Sequence, residues 1–335
     1  MTDNKNILIV SSEISGLWVT YMGESMSICV LRYFLNRTDD NEVKTMVKHG
    51  LKLSEQRIET LTKIMKQENL TIPIGFNEQD VDINAPRLFT DTFYLHYLTY
   101  RARVGMYNFT KVLNHISRSD IRSFFSKCIQ ESMEFFNMLA DLRLSKGIFI
   151  KAPRVEVPKE VSFIKSPSFL VDFFGEKRPL LNQEITHMFA IFLSNIVGKA
   201  LITGFGQVAK RKHVAEYFFK GEELATIQIS SIVNIHIEEA IPIPSPSDSF
   251  VTDSTISPFS DKLMMFHNTA MLSVAVSTIG MAIGESLRSD LHMMYIKFAG
   301  RILSYAKDGT DIMIAENWME QPPQAIKHEN LVKGK

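Results

Sequence analysis

The chain contains the same plan twice. Phe89-Thr90-Asp91 recurs as Phe259-Ser260-Asp261, and Arg118-Ser119-Asp120 recurs as Arg288-Ser289-Asp290. Both recurrences stand 170 positions apart (259 − 89 and 288 − 118). Two separate landmarks with one offset mark a tandem duplication of about half the chain. Any local pattern found in one half should then return in the other, and the 335 residues divide into two domains of similar build.

The local pattern is helical. Ser11-Ser12-Glu13 offers a cap and a first-turn carboxylate. Leu17, Trp18, Tyr21, Met22, Cys29, Leu31 and Phe34 follow before the polar turn at Asn36–Asp40. A second helix over Glu42–Gln67 carries Val43, Met46, Val47, Leu51, Ile58, Leu61, Ile64 and Met65 at spacings of three, four and seven, the period of a helix and not of a strand. Thr90 is an N-cap for the third, Asp91 suits the positive end of its dipole, and Phe89 is placed to pack on Tyr94. Ser260, Asp261, Phe259 and Met264 take the same roles in the second copy. The fourth helix runs from Ser119-Asp120 to Lys146-Gly147, a C-terminal signal. The cycle repeats at 183–208, with Asn182 as its cap, then at 212–239, 261–286 and 289–313. Ile148-Ala152-Pro158 aligns with Ile312-Ala315-Pro322, so the last helix is expected to end early.

Between the second and third helices lies Asn69–Leu88, which holds Pro73, Gly75 and Pro86 and has no helical period. A helix of ~25 residues is ~37 Å long. About twenty extended residues reach ~65 Å, enough to carry the chain back along a bundle. Ile241–Pro258, with four prolines, is its counterpart. Short turns make neighbours antiparallel, and a long crossover lets the middle pair run parallel. The expectation is all-α: two tandem ferritin-like four-helix bundles, up-down-down-up with a long crossover. The first occupies 1–147 and the second 181–335. Residues 148–180 form a proline-rich strap whose Phe163, Ile164, Phe169, Leu170, Phe173 and Phe174 should hold it against the domains.

Composition bounds what such a chain does. Lys plus Arg and Asp plus Glu both number 37, so no basic excess points to nucleic acid. Cys29 and Cys128 sit in apolar helical patterns and cannot make a disulfide framework, which fits a reduced, cytoplasmic setting. The N-terminus has no charged region followed by a long apolar run, so no signal peptide is expected. Met188–Val208 is apolar enough to resemble a membrane span. Lys199 within it would cost about 3 kcal/mol on insertion scales, and a helix buried among helices is the expectation.

The paired Phe-(Thr/Ser)-Asp starts, the two Arg-Ser-Asp turns and the exit Ile148…Ala152-Pro153…Pro158 resemble a family of unknown function found in spore-forming bacilli. That family is built as two ferritin-like repeats and is related to spore coat protein F. The resemblance covers both halves. It implies the fold above and an association with spores or coat layers.

A ferritin-like fold raises the question of a metal centre. A di-iron site takes a Glu on each of two helices and Glu-x-x-His on each of the other two. Only Glu184-Ile-Thr-His187 matches, at the very start of its helix, so no metal and no cofactor are expected. The alternative is a divalent-ion site in the second copy made by Glu184, His187, His236 and His292, with Glu239 nearby, all at one end of an up-down-down-up bundle. The first copy has Lys66 and Arg122 where the second has His236 and His292.

No Gly-x-Ser-x-Gly, Walker or dinucleotide motif is present. Gly204-Phe-Gly206 follows no strand. The aromatic run Phe93, Tyr94, Tyr97, Tyr100, Tyr107 and Phe109, interleaved with Arg101 and Arg103, reads as core, as do the methionines of the second copy. No catalytic residue is assigned. Met188–Val208 and Ala270–Gly284 are apolar on nearly every face and rich in Gly, Ala and Ser. They are expected at the centre of the molecule, between the bundles or at a homodimer contact. The function expected is a non-catalytic structural or interaction protein working through apolar helices, without nucleic acid or an integral membrane span. The alternative is a degenerate ferritin-like metal or small-ligand binder using the second bundle.

Overall fold

The computed structural model of the chain describes residues 7–156, 159–165, 169, 177–244 and 250–325. Eight long helices make two four-helix bundles. The first contains α1 (Ser11–Arg37), α2 (Asn41–Gln67), α3 (Asp91–Leu113) and α4 (Ser119–Ser145). The second contains α5 (Asn182–Val208), α6 (Lys212–Glu238), α7 (Asp261–Glu285) and α8 (Ser289–Ala315). Within each bundle the first and second helices, and the third and fourth, are joined by short turns. Residues 68–90 and 239–260 are the crossovers. No β-strand forms among the described residues; the crossovers contribute two isolated bridges.

Some helix ends differ from the sequence reading. Ser11 and Asn182 are first helical residues and do not cap; Val10 and Leu181 precede them, and the N3 carboxylates Glu13 and Glu184 accept from the Val10 and Leu181 amides. Thr90 and Ser260 do cap, accepting from the Phe93 and Leu263 amides. α8 is not shortened: α4 and α8 both have 27 residues. The apparent match of Ile148 to Ile312 misled, because the structural counterpart of Ile148 is Trp318. Ile148 N–H donates to the Arg143 carbonyl and Trp318 N–H to that of Met313, after a left-handed residue in each case, Gly147 and Asn317.

Buried or part-buried carboxylates clamp the corresponding short turns in both bundles. Glu13 accepts from the Ser117 and Arg118 amides at 2.9 Å each, and Glu184 from the Leu287 and Arg288 amides at 3.0 and 3.1 Å. Asp91 accepts from the Asp39 and Asp40 amides, and Asp261 from those of Lys210 and Arg211. Arg118 bridges Glu68 and Asp120, while Arg288 bridges Glu239 and Asp290. The landmarks that reveal the repeat are therefore the residues that pin one end of each helix pair to the other.

The halves meet about a pseudo-two-fold axis. Val81 bridges Phe259 and Phe89 bridges Val251, antiparallel in both cases. A shift of 170 turns 81 into 251 and 89 into 259, so each bridge is the image of the other, the self-complementary contact that two-fold symmetry requires. On the axis, Tyr97 OH and its counterpart His267 Nε2 lie 3.2 Å apart, 170 residues apart in sequence. Phe89 does not act as a staple on Tyr94. It stacks on Phe93 at 4.4 Å and reaches Phe205 of the other bundle, and Phe259 meets Tyr33 edge-on. Gly204 of α5 is needed here, because a Cβ would lie 2.6 Å from the Phe89 ring. One continuous apolar core results, from Phe34 and Tyr97 through Phe89 and Phe259 to Phe205 and Met264.

α5 thus sits at the centre as expected, but so do α1, α3 and the first half of α7, whereas within the expected Ala270–Gly284 only Met271, Ile279 and Ala282 are buried and the rest is half-buried or exposed. α1, α5 and α7 are each long and apolar enough to cross a membrane by length and composition. In the linker, Phe163 and Ile164 stand 82% and 61% exposed and do not strap against the bundles. Phe169 packs under the Arg178 guanidinium at 4.4 Å. Pro158, Pro167, Leu170, Phe173 and Phe174 lie outside the described residues.

Candidate functional site

The middle of the first bundle is polar. Glu24 lies on a stretch of α1 that is otherwise apolar or small, and it points inward, 5% exposed. Ser54 and Arg57, one turn apart on α2, face it, as does Arg101 of α3. The Ser54 hydroxyl and Arg101 Nη2 donate to Glu24 Oε2 at 2.6 Å each, and Arg57 Nη1 donates to Oε1 at 3.0 Å. Arg57 Nη2 continues to Ser132, the Cys128 carbonyl and Glu131 on α4, all at 3.3 Å. All four helices therefore contribute. Burial alone would raise the Glu24 carboxyl; the Arg101 and Arg57 guanidiniums and the Ser54 hydroxyl overcome it and hold the group down at about 2. Nearby, burial pushes the Cys128 thiol up to about 12, so it is neither a ready nucleophile nor a ready ligand.

This cluster divides the first bundle's apolar interior. On one side is the core shared with the second bundle; on the other is a separate cluster of Leu17, Leu61, Met65, Phe109, Ile121 and Phe125. A cavity of about 180 Å³ opens onto the charged groups, walled by Tyr97, Tyr100 and Phe109 and by Phe266 and Val274 of α7. The interior of this half is therefore not wholly apolar. Glu24 among apolar neighbours was the available signal. Its partners are 30 to 77 residues away in sequence, which hid the network.

The second bundle keeps the locus and changes its chemistry. Asn195, Gln228, Ala225, Met271 and Ile302 stand where the first has Glu24, Arg57, Ser54, Arg101 and Ser132. Asn195 Nδ2 donates to Gln228 Oε1 at 3.1 Å beside a cavity of about 70 Å³. Next to it Tyr217 and Tyr305 stack at 4.2 Å, and Asn268 donates to both hydroxyls.

The four histidine and glutamate candidates are held apart by separate partners. Glu184 is committed to Arg178 and to the Leu181, Leu287 and Arg288 amides. His187 Nε2 lies 3.0 Å from Glu285, and His292 Nε2 donates to the Ser286 carbonyl at 2.7 Å. His236 is buried, with Nδ1 on the Ile232 carbonyl at 2.8 Å and Nε2 facing no partner. Glu239 pairs with Arg288. Among the described residues no group of three His, Cys, Asp or Glu side chains is placed to hold a metal.

Comparison with known proteins agrees with the doubled architecture. One family model, described as protein of unknown function (DUF3231), matches residues 1–161 and again 168–331. The chain belongs to the DUF3231 family. Each match contains one complete helix–turn–helix–crossover–helix–turn–helix unit of this DUF3231 protein. A solved structure from Bacillus halodurans, titled "putative spore coat protein", is similar over 46% of this chain and 100% of its own, with 16% identity and a TM-score of 0.42. No curated protein matches.

Proposed function

We propose that this DUF3231 protein is a non-catalytic interaction protein that assembles with a second copy of itself through the outer face of its second bundle. The observation that carries this reading is a stripe on α8. Met293, Ile296, Leu303 and Ile314 are 44%, 52%, 57% and 59% exposed. Met293, Ile296, Gly300 and Leu303 follow the three-and-four spacing of a helix-pairing seam on the side of α8 away from the core, and Ile314 returns to the same register beyond Lys307 and Thr310. The corresponding face of α4 carries Ser123, Ser126, Gln130, Met133 and Leu144. The adjacent α7 adds to the surface: only 28% of its apolar window is buried, the lowest share of the three membrane-length helices.

The absence of a catalytic role is part of the proposal. It is supported by the Glu24–Arg57–Arg101 cluster at the bundle centre, whose charge Glu131 balances, and by the raised thiols of Cys29 and Cys128. The sequence resemblance adds an association with spores or their coat, and the two cysteines in apolar helical patterns add a reduced, cytoplasmic setting. Light scattering on the full chain across a concentration series tests assembly. The wild type should dimerise, and Ile296→Lys with Leu303→Lys should leave a folded monomer. A wild type that stays monomeric, or lysine variants that dimerise unchanged, would remove this reading. Quantifying the chain in purified spore coats against cytoplasm tests the setting.

A second reading, small-ligand binding, is favoured by the cavity of about 180 Å³. It belongs to the first bundle, with a wall from α7, and not to the second bundle alone. Metal content measured on protein purified without added metal separates this reading from a metal-binding one.

A further inference from the structure

Arg103 and Arg143 face a small cavity at the seam between the first bundle and α5, and neither is paired with a carboxylate among the described residues. The cavity, of about 20 Å³, is lined by His96, Thr99, Tyr100, Arg103 and Arg143, with Val197 of α5 on the facing wall. Arg143 is 5% exposed. Its Nη2 lies 3.2 Å from His96 Nδ1, its guanidinium sits 4.9 Å from the Phe149 ring, and its Nε is buried with no partner. Arg103 is half-buried. Among the described residues no acidic side chain is within ion-pair distance of either.

The rest of the molecule shows how unusual this is. The other fully buried arginines, Arg57, Arg118 and Arg288, each hold a carboxylate at 3.0 Å or less. Arg101, two residues before Arg103, holds Glu24. A guanidinium cannot shed its proton to escape burial. Its desolvation is therefore offset by a counter-charge or left as a large cost. His96 cannot supply that charge; a neutral ring accepting from Arg143 is the state the geometry requires. The second bundle resolves the same locus without charge, placing Phe266, Ser273 and Met313 where the first has His96, Arg103 and Arg143. Nothing in the fold demands cations here, and an external anion gives them a role.

We propose that Arg103 and Arg143 form a binding site for one small oxyanion group, a carboxylate or a phosphate, with Tyr100 on its wall. The volume admits about one or two water-sized groups, which limits the occupant to a small ion or the head of a larger ligand. Two guanidiniums suit the paired oxygens of either anion.

Thermal unfolding of the full chain tests this, with acetate or inorganic phosphate replacing chloride at constant ionic strength. At about a hundredfold its Kd, a bound anion should raise Tm by ~5 °C and the rise should saturate. A response to acetate alone identifies a carboxylate site, and a response to phosphate alone a phosphate site; either supports the proposal. Arg103→Gln and Arg143→Met should abolish the rise, and Arg143→Met, which installs the second bundle's residue, should raise Tm in chloride. If Arg143→Met does not fold, the half-buried Arg103→Gln decides. No saturable rise in the wild type, or the same rise in the variants, overturns the proposal.

Discussion

The two bundles share a backbone plan, a set of end clamps and a symmetric joint, yet their centres are built from opposite materials. In the first, Glu24, Arg57 and Arg101 form a buried ionic network joined by Ser54 and Ser132. In the second, Asn195 and Gln228 make a single amide pair and Met271 replaces a guanidinium. The clamps at Glu13 and Glu184, and at Asp91 and Asp261, are retained in both. The difference separates what the fold needs from what each copy has done with it. Fixing the turns is common to both. The polarity of the centre varies between copies, and a buried ion network is weak evidence for stability in itself.

The largest effect should come from breaking that network at one point. Glu24→Gln leaves Arg57 and Arg101 without their shared carboxylate and should cost about 3–5 kcal/mol in urea unfolding. Installing the second bundle's whole set, Glu24→Asn, Ser54→Ala, Arg57→Gln and Arg101→Met together, should recover most of that loss. If the single change is silent, the network is not what holds the first bundle's centre. If the four-fold change is no better than the single one, the two centres are not interchangeable.

Acid should act on the same contrast. Glu24 is held at about 2 against an ordinary value of 4.5. A carboxyl with a lowered folded value stabilises above its unfolded value, and that stabilisation fades as pH falls through the folded one. The contribution, roughly 3 kcal/mol, is complete above about pH 4.5 and lost towards pH 2. The stability gap between wild type and Glu24→Gln should therefore narrow across that window. A gap that stays constant between pH 5 and pH 2 would mean that folding does not shift the Glu24 carboxyl, and a gap that widens in the wild type's favour would mean that Glu24 is uncharged in the folded protein.

Packing gives the next contrast. A Cβ on Gly221 would run into the Tyr305 ring, and one on Gly309 into the Tyr217 ring; at Gly50, the counterpart of Gly221, the Phe135 ring is 3.3 Å away. Gly221→Ala should cost about 1–3 kcal/mol through overpacking. Gly50→Ala should be close to neutral, because a gain in helix propensity of about 1 kcal/mol opposes a smaller clash. Equal effects at both positions would show that the stacked tyrosines yield as easily as a phenylalanine.

How far the sequence discloses this molecule follows from the range of each interaction. Thr90 and Ser260 bond to amides three residues on, so their roles are written locally. The 170-residue offset exposes the duplication because clamp residues tolerate little change of chemistry. The pairing of the crossovers has no local mark: Phe89 and Phe259 look like staples for their own helices, and only the assembled halves show them crossing the axis. Glu24 is visible as an oddity in an apolar helix, but Arg57 and Arg101 are one helix and a crossover away. Ser11 and Asn182 misled because side-chain type suggests a cap that the N3 glutamates already supply. For α8, a chance run of similar letters after Ile312 outweighed Asn317, whose left-handed backbone marks the true end.

The smallest effect concerns how the second helix of each bundle stops. α2 ends in Asn69 with φ 53°, and α6 ends at the same register in Ala240 with φ 52°. Leu70 N–H donates to the Met65 carbonyl and Ile241 N–H to that of His236, so the two ends are hydrogen-bonded alike. They differ in fitness for the conformation. An L-residue with a plain methyl side chain is disfavoured in the left-handed region by about 1–2 kcal/mol, and Asn tolerates it better. Ala240→Gly should therefore stabilise the chain by ~0.5–1 kcal/mol, part of the relief being cancelled by glycine's freedom in the unfolded state. Ala240→Asn should gain a similar amount, and Asn69→Ala should lose it, each readable as a shift of ~1–2 °C in Tm. Should Ala240→Gly prove destabilising, contacts of the Ala240 methyl outweigh its backbone strain, and the two helix ends are alike in geometry but not in what stabilises them.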